Sequence, residues 1–227
     1  MIKRSDPPKV IDLTKPLDDS LVIYRSGEYS DPPFRCSEWC SIEERGYRVS
    51  RLELGTQTGT HIDAPAHFQS SGATLETLPV EQLMGPYFLV DLPDRCDAEL
   101  LRNLCSGYRQ EPILFLRTGS GGIAKLTADA LSVLVDLPSL LWILAGAVEV
   151  ADAPDLTFHR LIAQAGKFLI EDLHEEKVAL VPHEGEIFAL PLRLSGTSGA
   201  PCRVVVREAP RPIARWTSGT GRQEKGA

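Results

Sequence analysis

At 227 residues the chain holds one large domain or two small ones, and either can bury a substantial core. With 43% hydrophobic and 24% charged residues it has the composition of a folded globular protein, far from the regime of disordered chains. Its 31 acidic and 24 basic residues leave a net charge of -7, which removes any general attraction to phosphate backbones or anionic lipid, so no nucleic acid and no membrane is expected as a partner.

Met1 to Val10 carries charges and two prolines where a secretory signal needs an apolar core, so no export is expected. The five cysteines, an odd number, favour reduced thiols in the cytoplasm. Cys36 and Cys40 lack the CxxC spacing of a zinc knuckle or redox motif. Residues 26 to 45, with Pro32, Pro33, Phe34 and Trp39, show no clear period and read as a loop. Its aromatics either wall a pocket or pin the loop to the core.

Beyond that loop, β-rich runs bounded by Gly, Pro and Asp predict strands at Tyr47 to Leu54, Tyr87 to Leu92, Ile113 to Arg117, Leu140 to Val148, Lys167 to Ile170, Ile187 to Leu194 and Cys202 to Arg207. The run at Leu140 is far shorter than the ~20 residues that cross a bilayer. Helices are predicted at Val80 to Met84, Ala98 to Cys105, Ala128 to Leu137 after a Thr127 cap, and Leu156 to Ala165 after Asp155. Strands mixed with helices indicate one α/β or α+β domain over residues 1–208. The polar, Gly-rich segment 209–227 reads as a tail, mobile or packed on a neighbouring subunit.

The informative stretch is Gln57-Thr-Gly-Thr-His61-Ile-Asp63-Ala-Pro-Ala-His67. If the strand beginning near Tyr47 continues through it, Gln57, Gly59, His61 and Asp63 share one face. His61 and Asp63 then have backbones ~6.6 Å apart, close enough for nitrogen and oxygen to meet one ion at ~2.0 to 2.2 Å. Pro65 stops the strand and lets His67 turn back over the site. A hydrogen-bonded His–Asp pair is the alternative account, and both stand open on spacing alone. Mixed nitrogen and carboxylate donors suit zinc or manganese. Thr118 to Gly122 lacks the patterns of a phosphate-cradling loop and reads as a flexible loop beside the pocket. Ser195 to Gly199 is not a GxSxG elbow, and His174 and His183 sit among charges as solvated surface.

The run resembles the H-T-G-T-H-x-D-x-P-x-H signature of the cyclase family of metal-dependent hydrolases, which includes bacterial kynurenine formamidase and isatin hydrolase. Ile11 to Leu17, Val49 to Leu54, Leu78 to Leu92 and Phe188 to Leu192 are similar to other parts of that family. The resemblance implies a swivelling β/β/α fold. It also implies that His159 and Glu171, twelve residues apart, join His61 and Asp63 as metal ligands. Gln57 stands where dinuclear members have the signature's first histidine, and an amide oxygen binds zinc more weakly than imidazole. One tight zinc or manganese ion per chain is therefore expected, with Gln57 at most a weak ligand.

The implied activity is hydrolysis of a small amide, lactam or ester by metal-activated water, with His67 as general base. Phe34, Trp39 and Phe68 are candidates to stack on an aromatic substrate, and apolar packing explains each equally well. A homodimer or larger homo-oligomer is expected. The rival readings are a metal-dependent cyclase or lyase that adds no water, and a non-catalytic binding protein, the latter motivated by Gln57.

Overall fold

A computed structural model describes residues 9–119 and 122–209. The expected tail lies outside the described residues apart from Ala209.

Four parallel strands run side by side: Met84–Leu92, Ile113–Thr118, Leu141–Ala145 and Phe168–Glu171. Antiparallel Gly185–Pro191 joins one side through Met84–Leu92 and pairs in turn with Gly199–Glu208. On the other side, His61–Asp63 pairs antiparallel with Phe168–Glu171. The same three-residue strand also pairs with Gly199–Pro201, which closes the sheet into a seven-stranded barrel. Val10–Asp12 adds to the ring along Gly199–Glu208.

Side-chain alternation divides the apolar residues of these strands between two cores. Ile113, Phe115, Ile143, Ile170, Ile187 and Val204 point into the barrel. Leu114, Leu116, Trp142, Leu144 and Leu169 point outward, against Leu101, Leu131, Leu134, Phe158 and Ile162 of the crossover helices. Strands covered on both faces need apolar residues at successive positions, which is why Ile113–Leu116 and Leu141–Ala145 read as unbroken hydrophobic runs. The crossovers contain the helices Ala98–Leu104, Ala128–Val135 and Thr157–Gln164. Thr127 caps the second as expected, accepting from the Ala130 amide at 3.2 Å.

Several expectations require correction. The run from Leu140 to Val148 is two strands, because Gly146 takes a φ of +102° and sends Ala147–Val150 into a separate three-stranded parallel sheet. Any Cβ at Gly146 would meet Thr118 Oγ1 at 1.8 Å. Thr118, the first residue of the segment expected to be a flexible loop, instead ends the strand Ile113–Thr118, and its one hydroxyl hydrogen is shared between the Gly122 and Ala145 carbonyls at 2.8 and 3.2 Å. The Val80 segment is a 3-10 turn rather than an α-helix. Asp155 does not cap the following helix, which starts from Leu156 in the left-handed region at φ +63° with no side-chain cap. Finally, residues 26 to 45 are structured. Arg25–Ser26 pairs with Tyr29–Ser30, and Arg35–Cys40 pairs with Val49–Glu53 in a longer ribbon. A single helical turn, Ile42–Arg45, with a Ser41–Glu44 capping box, links the ribbon's strands.

Candidate metal centre

The strand expected to run from Tyr47 through Asp63 does not do so. It ends at Glu53, the chain turns over Gly55 to Thr60, and His61–Asp63 forms a strand of its own. Gly59 lies within that turn at φ +62°, where a Cβ would stand 2.7 Å from Leu17 Cδ2. Glycine is therefore required by the turn and by the close approach of Leu17, rather than to clear space on a continuous strand. Gln57 reaches the site from the turn.

Register sets the centre. In the barrel seam His61 lies opposite Glu171, while Asp63 lies opposite Leu169 and Gly199. Ile62 points into the barrel core, so the alternation sends His61, Asp63 and Glu171 to the outer face, towards the helix that carries His159. His61 Nε2 is 3.5 Å from Asp63 Oδ1 and 3.6 Å from Glu171 Oε1. One donor atom from each of the three residues lies within 4.8 Å of the others. His61 and Asp63 are buried and Glu171 is partly so.

These separations suit a single ion. Two donors each ~2.1 Å from one metal at a tetrahedral angle lie ~3.4 Å apart. His61 Nδ1 is 2.7 Å from the Gly59 carbonyl and donates to it, which leaves the Nε2 lone pair facing the two carboxylates. An imidazole anchored through its second nitrogen is the usual preparation for a ligand. The expected residues divide by position. His61, Asp63 and Glu171 form the donor group. His159 stands behind it, with Nε2 3.1 Å from Glu171 Oε2 and a buried Nδ1 that has no partner. Gln57 turns its amide nitrogen to Asp63 Oδ1 at 3.3 Å, while its oxygen accepts from the Thr56 hydroxyl at 2.5 Å. The face it shows the centre is thus a donor of hydrogen, not a lone pair. Gly199 admits this amide, because a Cβ there would lie 2.6 Å from Gln57 Nε2 and 2.5 Å from the Ile62 carbonyl. Sequence reasoning passed over Gly199, whose role depends on strand pairing across more than a hundred residues.

Burial pushes the Asp63 carboxyl above the usual carboxylate range, with the Glu171 charge adding to it against the opposing influence of His61. Burial would also raise Glu171, but the His159 hydrogen bond and the surrounding histidines outweigh it and hold that carboxyl low. His159 is raised in turn: desolvation opposes its charge, and Glu171 overcomes the opposition. The apo centre therefore concentrates two unlike carboxyl groups in a site with little water, and a bound cation would relieve both.

His67 closes the short 3-10 turn Pro65–His67 and is exposed at the rim, its ring edge-on to Phe68 with centroids 4.6 Å apart. Phe68 lies 5.4 Å from the His159 ring and, with Asp63, Ala64 and Ile162, lines a narrow crevice beside the donors. Phe34 is half-buried, and Trp39 is 69% exposed on the ribbon. A cavity of about 860 Å³ lies elsewhere, around Tyr87, Phe88, Arg109 and Glu186.

A closed mixed barrel that holds a buried imidazole and two carboxylates at its seam defines the class: an α/β fold with a candidate divalent-metal centre. The chain belongs to the cyclase family, whose model, described as "Putative cyclase", matches residues 11–150. It is 31% identical over 182 residues to a kynurenine formamidase of Salinibacter ruber, covering 75% of this chain and 84% of that one. To a kynurenine formamidase of Bacillus cereus it is 29% identical over 217 residues, 87% of this chain and 96% of the relative. Among solved structures, an isatin hydrolase A from Labrenzia aggregata shares the fold, with a TM-score of 0.74 at 21% identity over 88% of this chain and 94% of that one. A predicted metal-dependent hydrolase from Bacillus stearothermophilus gives a TM-score of 0.68 at 27% identity, covering 90% of this chain and all of the other.

Proposed function

We propose that this chain is a metal-dependent hydrolase that cleaves the C–N or C–O bond of a small amide, lactam or ester, with aryl formamides and isatin-like lactams as the favoured substrates. The observation that carries the reading is the donor group of His61, Asp63 and Glu171, with His67 exposed beside it. Kinship with kynurenine formamidases supports the amide class.

The three donors fit one divalent ion, zinc or manganese, with His159 orienting Glu171 and Gln57 orienting Asp63. Such an ion, when bound, polarises a carbonyl and acidifies water. His67 takes the proton of the attacking water and returns it to the leaving nitrogen or oxygen, so that acid and base work are done by one imidazole. Its position on a turn at the rim leaves it free to face substrate, whereas His61 is committed to the Gly59 carbonyl. Phe68 gives an aromatic ring a flat neighbour beside the donors.

A homodimer is part of the proposal. The ribbon of Arg35–Cys40 and Val49–Glu53 is exposed along nearly its whole length, Trp39, Val49 and Leu52 included. Two strands without a core are marginal in water, so the ribbon needs a second surface, and a second copy of this chain supplies one. The reading also places the protein in the cytoplasm, supported by five cysteines that are all unpaired.

The test is elemental analysis of protein purified without chelator, then assay against aryl formamides, lactams and aryl esters with product mass recorded. Metal-dependent turnover with the gain of one water is expected. Metal-loaded protein that turns over none of these, or products without added water, would overturn the reading.

A further inference from the structure

Glu171 is the last residue of its strand, and a terminal residue is poorly placed to hold a ligand atom to within a few tenths of an ångström. The ladder with His61–Asp63 stops at the Glu171–His61 pair. One step further the register would bring Thr60 opposite Asp172, but Asp172 has a φ of +59°, a left-handed conformation that ends the strand. A side chain takes over there. Thr60, only 2% exposed, donates its hydroxyl to the Asp172 carbonyl at 2.7 Å and accepts from the Lys15 amide at 2.9 Å. The Lys15 ammonium in turn pairs with the Asp172 carboxylate. The Thr60 carbonyl accepts from the Cys202 amide at 2.9 Å, and the Leu13 carbonyl accepts from the His174 amide at 2.8 Å. Four segments distant in sequence thus meet around Thr60, its hydroxyl joining those of Lys15 and Asp172 and its carbonyl that of Cys202, one residue before His61 and one after Glu171.

We infer that the Thr60 hydroxyl, seated between the Asp172 carbonyl and the Lys15 amide, is a positioning device that fixes the His61–Glu171 separation so that one divalent ion spans it. The inference rests on the metal-centre reading above. The hydroxyl touches neither the donors nor a substrate; it acts through the backbone on either side of them. Metal–ligand distances tolerate deviations of ~0.2 Å, so fraying of the strand end by even one hydrogen bond would carry Glu171 Oε1 out of range. Lys15 and Asp172 hold the left-handed turn from outside, and Thr60 holds it from within.

The test compares Thr60→Val, which keeps the shape and removes the hydroxyl, with Thr60→Ser, which keeps the hydroxyl. Zinc affinity is read by competition with a chromophoric chelator, and the coordination geometry by the visible spectrum of the cobalt-loaded protein. Circular dichroism and the apo melting temperature report the fold. Thr60→Val should fold, bind zinc about 10- to 100-fold more weakly, and show an altered cobalt spectrum, while Thr60→Ser matches the native protein in both. Native affinity and spectrum in Thr60→Val would overturn the inference. So would equal losses in both variants, or a Thr60→Val protein that does not fold, since either assigns the residue to packing rather than to the centre. Native protein and Asp63→Asn serve as controls: equal zinc binding by those two removes the metal-centre reading itself, a failure separate from that of the clamp.

Discussion

Replacing Asp63 with asparagine should move the apo and metal-loaded proteins in opposite directions. The residue is 4% exposed, and its carboxylate lies near that of Glu171 and accepts from the Gln57 amide. Asparagine keeps the shape and can still accept from Gln57, but removes one of two crowded acidic groups, so the apo variant should melt no lower than the native apo protein. With metal the order reverses. At a free ion concentration about 100 times Kd, binding adds about 2.7 kcal/mol to the native protein. Loss of a ligand weakens binding by at least ~100-fold, the upper end of what a supporting residue alone costs. The variant then gains only about 0.4 kcal/mol at the same concentration. The difference of about 2.3 kcal/mol corresponds to about 5 to 9 °C in a chain of this size. Scanning calorimetry of both proteins, with chelator and at one fixed free zinc concentration, measures all four melting temperatures. An Asp63→Asn protein that gains as much from zinc as the native one would refute the placement of Asp63 in the centre.

Three further outcomes are expected. His67→Ala should keep fold and metal content yet lose about 10²- to 10⁴-fold in kcat, measured on the best substrate of the panel; loss of the ion would instead make His67 a ligand. Gln57→His should raise zinc affinity or occupancy at equal free metal, because it replaces an amide hydrogen donor by an imidazole lone pair; unchanged stoichiometry and affinity would show that the turn carrying residue 57 holds it out of reach. Trp39→Glu should shift the protein towards monomer in sedimentation at micromolar concentration, and an unchanged oligomer would remove the ribbon from the interface.

The chemistry was more legible in the sequence than the path that delivers it. His61, Asp63 and Glu171 were accessible because the signature and a twelve-residue spacing mark them, and they do converge. His61 and Asp63 share a face because side chains alternate with period two within a strand, but that period does not reach Gln57, which lies across the turn made by the left-handed Gly59. A glycine in an apolar run is ambiguous by composition, and Gly146 likewise ended a strand where continuity was expected. Only the first strand of the ribbon, Arg35–Cys40, was missed: it is exposed and lacks the alternation by which strands are recognised, whereas its partner Val49–Glu53 falls within the strand expected at Tyr47 to Leu54. Gly199 and Asp172 carried no local signal, and Thr60, although it lies within the signature, gave none for its hydroxyl, since these roles exist only once distant segments pair.

The strand that bears His61 and Asp63 is also the link that closes the barrel, pairing with residues 168–171 on one side and 199–201 on the other. Its partners lie more than a hundred residues downstream, so loop closure on that scale precedes any reward from the pairing. A chain leaving the ribosome has its signature early and the strands that pair with it late. Until the final strand arrives, the strand of His61 and Asp63 lacks its Gly199–Pro201 partner and the ring stays open. If the donor group holds an ion as proposed, its acquisition would report completion of the ring, and a clipped chain that lacks the last strand should remain metal-free even with every donor residue present.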